Sequence, residues 1–327
     1  MKLGTRSTAG GDRGWRTVDG VLLLDKGPGI TSSATVQRVR RLFRARKAGH
    51  TGTLDPMATG LLPVCFGEAT KFSHVLLDAD KSYVATIRLG VTTSTGDLEG
   101  EVTGRHEVRS GRESIEHALK GLTGEIEQTP PMYSALKRGG QPLYKLARAG
   151  ANVPRAPRRV VVHALDVLRL EVDELRIRVR CSKGTYVRVL AEDLGRALGC
   201  GACLSGLRRE GVGSFRLSSG AITLERVEET APEDRDALLL PPDVLVTGLP
   251  RLDLNSRAAS RLSQGQPVAT GIVPPAGLAR VYGPGGIFLG VAEVKSHGEI
   301  VPRRLVASAS PRPATGQVSL EKPRVRE

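Results

Sequence analysis

Glycine and proline crowd one stretch of this chain, Gly49-His50-Thr51-Gly52-Thr53-Leu54-Asp55-Pro56-Met57-Ala58-Thr59-Gly60-Leu61-Leu62-Pro63-Val64, and leave its backbone little choice. Gly49 and Gly52 permit conformations closed to other residues. Pro56 keeps the residue before it out of the helical region. That residue, Asp55, is the only acid in the stretch, so it is expected on a loop and not within a helix stripe. The plainer use of an Asp-Pro pair, capping a helix that begins at the proline, is the alternative.

Charge narrows the partner. The 327 residues carry a formal net charge of +14, with a pI near 10.1. Such a surplus points to a polyanion, nucleic acid or an anionic membrane. The membrane reading is weak, because no apolar run approaches the roughly 20 residues that cross a bilayer. Met1 to Thr17 is polar and rich in Gly and Arg, without the apolar core of a signal peptide, so a cytoplasmic location is expected.

The thiols and imidazoles suggest no metal. Cys200-Gly201-Ala202-Cys203 has the C-x-x-C form, but no second pair exists for zinc and no thioredoxin-like context for redox work. It is read as small residues in a Gly-rich turn after a helix. Cys65 and Cys181 sit in apolar, strand-like surroundings, and the six His show no ligand spacing. Asp25-Lys26-Gly27-Pro28-Gly29-Ile30-Thr31-Ser32 looks like a phosphate loop but lacks the Lys that must precede the Thr-Ser.

Periodicity predicts strands at Gly20–Asp25, Lys81–Leu89, Val160–Leu170 and Leu175–Cys181, and helices at Glu113–Gly121 and Tyr186–Leu198. A further helix follows the first strand, capped by Thr31 or Ser32, with Val36, Val39 and Leu42/Phe43 on one face. Arg38, Arg40, Arg41, Arg44, Arg46 and Lys47 fill much of the rest with no acid to balance them, which favours a nucleic-acid-facing surface over an ordinary solvated face. Strands with helices at irregular intervals give an α+β fold on a mixed sheet. Prolines 241, 242 and 250 set a boundary near 248. The expected plan is a disordered tail at 1–17, a large domain at 18–247, a small β-rich domain at 248–308 and a second disordered tail at 309–327. In the small domain a helix is expected around Ser256–Leu262, with strands at Leu278–Tyr282, Ile287–Val294 and Ile300–Val301.

The Gly49–Val64 string closely resembles the G-H-T-G-x-L-D-P motif of the pseudouridine synthase family whose bacterial members modify the T arm of tRNA. Asp25–Ser32 is similar to the family's D-K-P-x-G-x-T-S segment, with Gly27-Pro28 departing from the usual order. Ser182-Lys183-Gly184-Thr185-Tyr186-Val187-Arg188 matches S-x-G-T-Y-x-R, and Gln128–Lys137 and Gly140–Tyr144 match the bacterial branch. Ile287–Val294 followed by Pro302–Val306 resembles the small PUA β-barrel that binds RNA; an unrelated barrel is the alternative.

The resemblance implies an isomerase that turns the T-loop uridine at tRNA position 55 into pseudouridine by base flipping, as a monomer, with no cofactor, metal or guide RNA. Asp55 is then the nucleophile. Tyr83 would stack on the base or move a proton. Arg188 would pair with Asp55, lowering its pKa, from a strand or strand end on which Tyr186 shares its face. Tyr186 would pack against the base, Leu207 would line the uracil pocket, His50 would take the space of the flipped nucleotide, and Asp97 would support the site or simply serve a turn. A tRNA-folding protein without catalysis, and a guide-RNA-dependent synthase, are the competing functions.

Overall fold

The computed structural model describes residues 14–151, 153–269 and 275–307. Most of both expected tails lies outside these residues. The end of the first does not: Arg16 pairs with Asp236, and Trp15 lies under the guanidinium of Arg40 at 4.5 Å.

The expected mixed α+β architecture is what the chain forms. Its main strands are β1 (Gly20–Lys26), β2 (Ala48–His50), β3 (Thr59–Phe66), β4 (Lys81–Leu89), β5 (Gly124–Gln128), β6 (Arg158–Glu171), β7 (Glu174–Cys181), β8 (Ala202–Val212) and β9 (Ile222–Thr223). They lie in the order β9-β1-β3-β8-β4-β7-β6-β5, with β2 hydrogen-bonded to β3. The β1–β9 and β3–β8 pairs are parallel; the other pairs along this path are antiparallel.

Side-chain patterns explain the layers. In β7, Leu175, Ile177, Val179 and Cys181 are buried while Arg176, Arg178 and Arg180 alternate outward. One face of the sheet carries α1 (Ser32–Leu42), α2 (Arg112–Gly121) and α3 (Val187–Ala197). Thr31 caps α1 by accepting from Ala34 N at 3.1 Å, which sends Val36 and Val39 into the core. Ile115 and Leu119 of α2 meet Val187, Leu190 and Leu194 of α3 over the β4–β7 half. Each such side chain, fully buried, contributes about 1.5–3 kcal/mol. Within α1's basic face, Arg38 is engaged by Glu228 at 2.6 Å and Arg40 by Trp15, so part of that face serves the fold.

Among the described residues of 251–305, five strands form a second, PUA-like sheet that carries the α-helix α4 (Ser256–Ser263), capped by Asn255. It packs against the back of the large sheet. Phe288 meets Phe72 with centroids 5.5 Å apart, Val291 joins Val21, Leu23, Leu61 and Cys65, and Tyr282 donates to Asp243 at 2.7 Å. Among the described residues no helix is long and apolar enough to cross a membrane.

Two segments differ from what the sequence predicts. Cys203 is not in a turn but sits, with Ala202, at the start of β8. That eleven-residue strand was not foreseen, because Gly206 and Gly211 and three charged residues break its apolar pattern. Arg188 lies in the first turn of α3, not on a strand, and Tyr186 is the residue that caps this helix.

Candidate active site

Asp55 sits on the loop between β2 and β3, and no helix starts at Pro56. Two buried side chains fix that loop. The Ser32 hydroxyl accepts from Leu54 N at 2.8 Å and donates to Leu54 O at 2.9 Å. Lys26, fully buried, donates to Ala58 O at 2.6 Å, Gly27 O at 2.9 Å and Pro56 O at 3.1 Å. Burial brings its ammonium down to about 8. The Asp25–Ser32 segment thus acts as a brace under the Asp55 loop and not as a phosphate cradle.

Arg188 is 5 % exposed and has every face of its guanidinium occupied. Its Nε lies 3.0 Å from Asp55 Oδ2 and 3.5 Å from Asp97 Oδ2. Its Nη1 donates to Thr95 O at 2.9 Å and its Nη2 to Tyr133 O at 2.6 Å. The two terminal nitrogens are thus spent on carbonyls that fix the guanidinium, and both carboxylates meet it at Nε. Asp97 is itself set by Thr95 Oγ1 at 2.6 Å and Glu99 N at 3.1 Å, and its turn docks on β8 through Leu204 N to Gly96 O at 2.9 Å.

Burial raises the Asp55 carboxyl above its ordinary value, Arg188 opposes this, and the like charge of Asp97 adds to it. The expectation that pairing with Arg188 would leave the pKa lowered is corrected: desolvation wins, although 38 % of the Asp55 side chain still reaches solvent. Arg188 limits the rise and so favours the ionised form.

Tyr83, on β4, faces the same interior as Leu207 of β8, and both touch the two core clusters that flank the site. Burial raises the Tyr83 phenol, and the Asp55 charge adds to that rise. Tyr186 is held at its backbone by Gln128, whose amide accepts from Tyr186 N at 3.0 Å and donates to Tyr186 O at 3.3 Å. His50 lies on β2; burial and the Arg209 charge lower its pKa, and its Nδ1 is buried without a hydrogen-bond partner. The structure thus joins Asp55, Arg188 and Asp97 directly, sets Tyr83, Tyr186 and Leu207 around them, and places His50 on the strand that leads into the loop.

Two buried cations of this region escaped the sequence reading, Lys26 and Arg209. Arg209 is 1 % exposed, opposite Tyr83 across the β4–β8 ladder. The available signal was its spacing: it stands two residues beyond Leu207, on the same face of a strand.

Comparison with known proteins identifies the family. Residues 40–187 match the family model for the TruB family pseudouridylate synthase N-terminal domain. Residues 188–247 match the tRNA pseudouridylate synthase B C-terminal domain, and residues 250–306 match the model named pseudouridine synthase II TruB, C-terminal. The chain is 56 % identical over 295 residues to tRNA pseudouridine synthase B of Aromatoleum aromaticum, covering 90 % of this chain and 95 % of that protein. It is 53 % identical to the protein of that name from Stutzerimonas stutzeri, covering 90 % and 97 %. Among solved structures, a chain of a Cbf5–Nop10–Gar1 complex superposes with a TM-score of 0.67 at 26 % identity, covering 94 % of this chain and 93 % of that one. The chain belongs to the TruB family of pseudouridylate synthases, isomerases that make pseudouridine.

Proposed function

We propose that this enzyme isomerises the uridine at position 55 of the T loop of tRNA, acting alone and without a guide RNA, with Asp55 as the nucleophile. The observation that carries this reading is the Arg188 clamp, which presents the Asp55 carboxylate at 3.0 Å in a fixed orientation beside Tyr83 and Leu207. The product's chemistry explains the rest of the design. The C1′–N1 bond of uridine breaks, the uracil turns, and a C1′–C5 bond forms. One proton leaves C5 and one arrives at N1. The change is redox-neutral and consumes no water, so it asks for no cofactor. A carboxylate nucleophile, a proton carrier and an apolar wall for the detached base suffice.

Reaching a nucleotide inside a folded loop requires flipping it out, at about a few kcal/mol in lost stacking. His50, neutral and with a free Nδ1, is the group to fill the vacated place. The net charge of +14 suits a phosphate backbone. The relatives named tRNA pseudouridine synthase B support tRNA as the substrate; the cytoplasm as its place of work and the monomer as the working unit belong to the same proposal. A second reading comes from the similar fold of a chain in an H/ACA RNP bound to a substrate RNA, at 25 % identity and a TM-score of 0.66.

One experiment separates the two. Purified protein is incubated with unmodified tRNA and no other RNA, and pseudouridine is mapped. Modification at position 55, absent in Asp55→Asn, is expected. No modification without an added guide would favour the second reading, and modification by Asp55→Asn at near the wild-type rate would end the nucleophile assignment.

A further inference from the structure

Arg209 is the largest fully buried side chain described, and no carboxylate pairs with it among the described residues. The contrast with Arg188, which holds two carboxylates, is instructive. A buried cation without an anion is costly unless it is hydrogen-bonded throughout or has work to do. Arg209 Nε donates to Leu61 O at 2.7 Å and its Nη2 to Gly52 O at 3.1 Å. Tyr83 stands directly opposite it on the β4–β8 ladder, and the two side chains interact electrostatically.

We propose that Arg209 is the counter-cation of Tyr83, a positioning residue that stabilises the phenolate through which Tyr83 passes while it carries the substrate's proton. The inference rests on the reading of Tyr83 as proton carrier. Its chemistry balances as follows. When the C1′–N1 bond has broken, the Tyr83 O–H proton passes to N1 and leaves a phenolate. The turn of the uracil brings C5 to the place N1 occupied, so the same oxygen meets both atoms. As C5 forms its bond to C1′, the bond that Asp55 had made there breaks and frees its carboxylate, and the phenolate takes the proton released from C5. The phenol ends as it began and nothing else is consumed.

The surroundings need such a cation. Burial pushes the Tyr83 phenol up, and the negative charge of Asp55 and the nearby Cys181 push it the same way. Arg209 alone among these groups pulls it down, by charge and by hydrogen bond. A guanidinium can only donate, so a bond from Arg209 to Oη would occupy a lone pair and leave the hydroxyl proton free to point elsewhere. The same donor grips Leu61 O and Gly52 O, so the phenol is tied to both ends of the segment that carries Asp55.

The test is a double-mutant cycle in single-turnover rate on a T-arm stem-loop, using Arg209→Gln, Tyr83→Phe and the pair. Each single variant should slow the reaction by about 10²-fold or more. The pair should be no slower than Tyr83→Phe, because without the hydroxyl there is nothing for Arg209 to stabilise. Multiplying losses would show that Arg209 acts elsewhere, for instance only in tying β8 to the loop, and would overturn the proposal. A fully active Tyr83→Phe would instead sink the proton-carrier reading, so the two failures are distinct. If Arg209→Gln does not fold, Arg209→Lys keeps the charge and displaces the donors. In protein labelled at the tyrosine Cζ, the Tyr83 resonance is identified by its loss in Tyr83→Phe among only five tyrosines. In Arg209→Lys that resonance should move and titrate at higher pH; an unchanged line and titration would overturn the proposal.

Discussion

Arg188→Met tests the electrostatics of the site most directly. The variant keeps much of the side-chain volume and removes the charge. Asp97 and Arg188 both have side chains 5 % exposed and lie 3.5 Å apart, so Asp97 is left in a dry place without its cation. Removing one partner of a buried pair costs about 3–5 kcal/mol. At roughly 2–3 °C per kcal/mol for a protein somewhat larger than 250 residues, the unfolding midpoint should fall by on the order of 6–15 °C. Two carbonyls, Thr95 O and Tyr133 O, also lose their donor, so charge must be separated from hydrogen bonding. Adding Asp97→Asn removes the stranded charge and should recover at least about 1 kcal/mol of the loss. pH gives a second check. A carboxyl whose folded-state pKa is raised binds protons more readily in the native state, so its stability contribution is present at low pH and is lost as pH rises through the folded pKa. Asp55 is already raised in the wild type and should rise further without Arg188. The deficit of the variant, measured calorimetrically against wild type, should therefore be larger at about pH 8 than at about pH 5. The acidic limb of its pH–rate profile should move to higher pH, and that of Tyr83→Phe should not. A pH-independent deficit that Asp97→Asn fails to relieve would refute the charge argument and leave only the lost carbonyl contacts.

Asp55→Asn should abolish turnover while tRNA binding, followed by filter retention, stays within about threefold; because burial raises the Asp55 pKa, the amide should also unfold no earlier than wild type at neutral pH, an advantage that fades on acidification. A midpoint several degrees lower would contradict that sign. Tyr282→Phe removes the bond to the buried Asp243 carboxylate, 2.7 Å long, and should cost about 1.5–3 kcal/mol in urea unfolding without changing the single-turnover rate. Gly60→Ala and Gly29→Ala share a positive φ, but the added Cβ would lie 2.3 Å from Arg209 O at Gly60 and meet nothing within 4 Å at Gly29. Gly29→Ala should cost about 1–2 kcal/mol; Gly60→Ala should cost clearly more and slow catalysis, and equal midpoints would show that β3 and β8 do not need their close approach.

Much of the fold was legible because its elements obey simple periods. The alternation in β7, the capped amphipathic α1 and the apolar run of β1 each appear in sequence with boundaries within a residue or two. The Asp55 loop was legible for another reason: glycine and proline restrict the backbone whatever surrounds them. What failed were features set by long-range partners. β8 looks irregular because it threads through the middle of the sheet, with glycines where β4 comes near and one charge, Arg209, facing inward. Lys26 and Arg209 read as two more bases in a basic chain, since nothing local reveals that carbonyls from the Asp55 loop and its neighbouring strand surround them. The direction of the Asp55 shift was missed because a partner can be guessed from a motif but burial cannot.

The two buried arginines show how one strand can assemble a site from distant segments. β8 runs parallel to β3 on one side and antiparallel to β4 on the other, so it stands between the Asp55 loop and Tyr83. Gly60, at φ +100°, lets the β3 backbone close onto Arg209, and Gly52, at φ +114°, turns the loop so that its carbonyl meets the same guanidinium. The Asp97 turn docks on β8 at Leu204, which carries the second acid to Arg188. Each arginine then does what the other cannot. Arg188 spreads one positive charge over two carboxylates and favours Asp55 as an anion before the reaction begins. Arg209, with no acid of its own, keeps its charge in reserve for an anion that exists only during the reaction. Exchanging their surroundings would fail on both counts: a carboxylate beside Arg209 would neutralise the field at Tyr83, and an unpaired Arg188 would leave Asp97 stranded in the core.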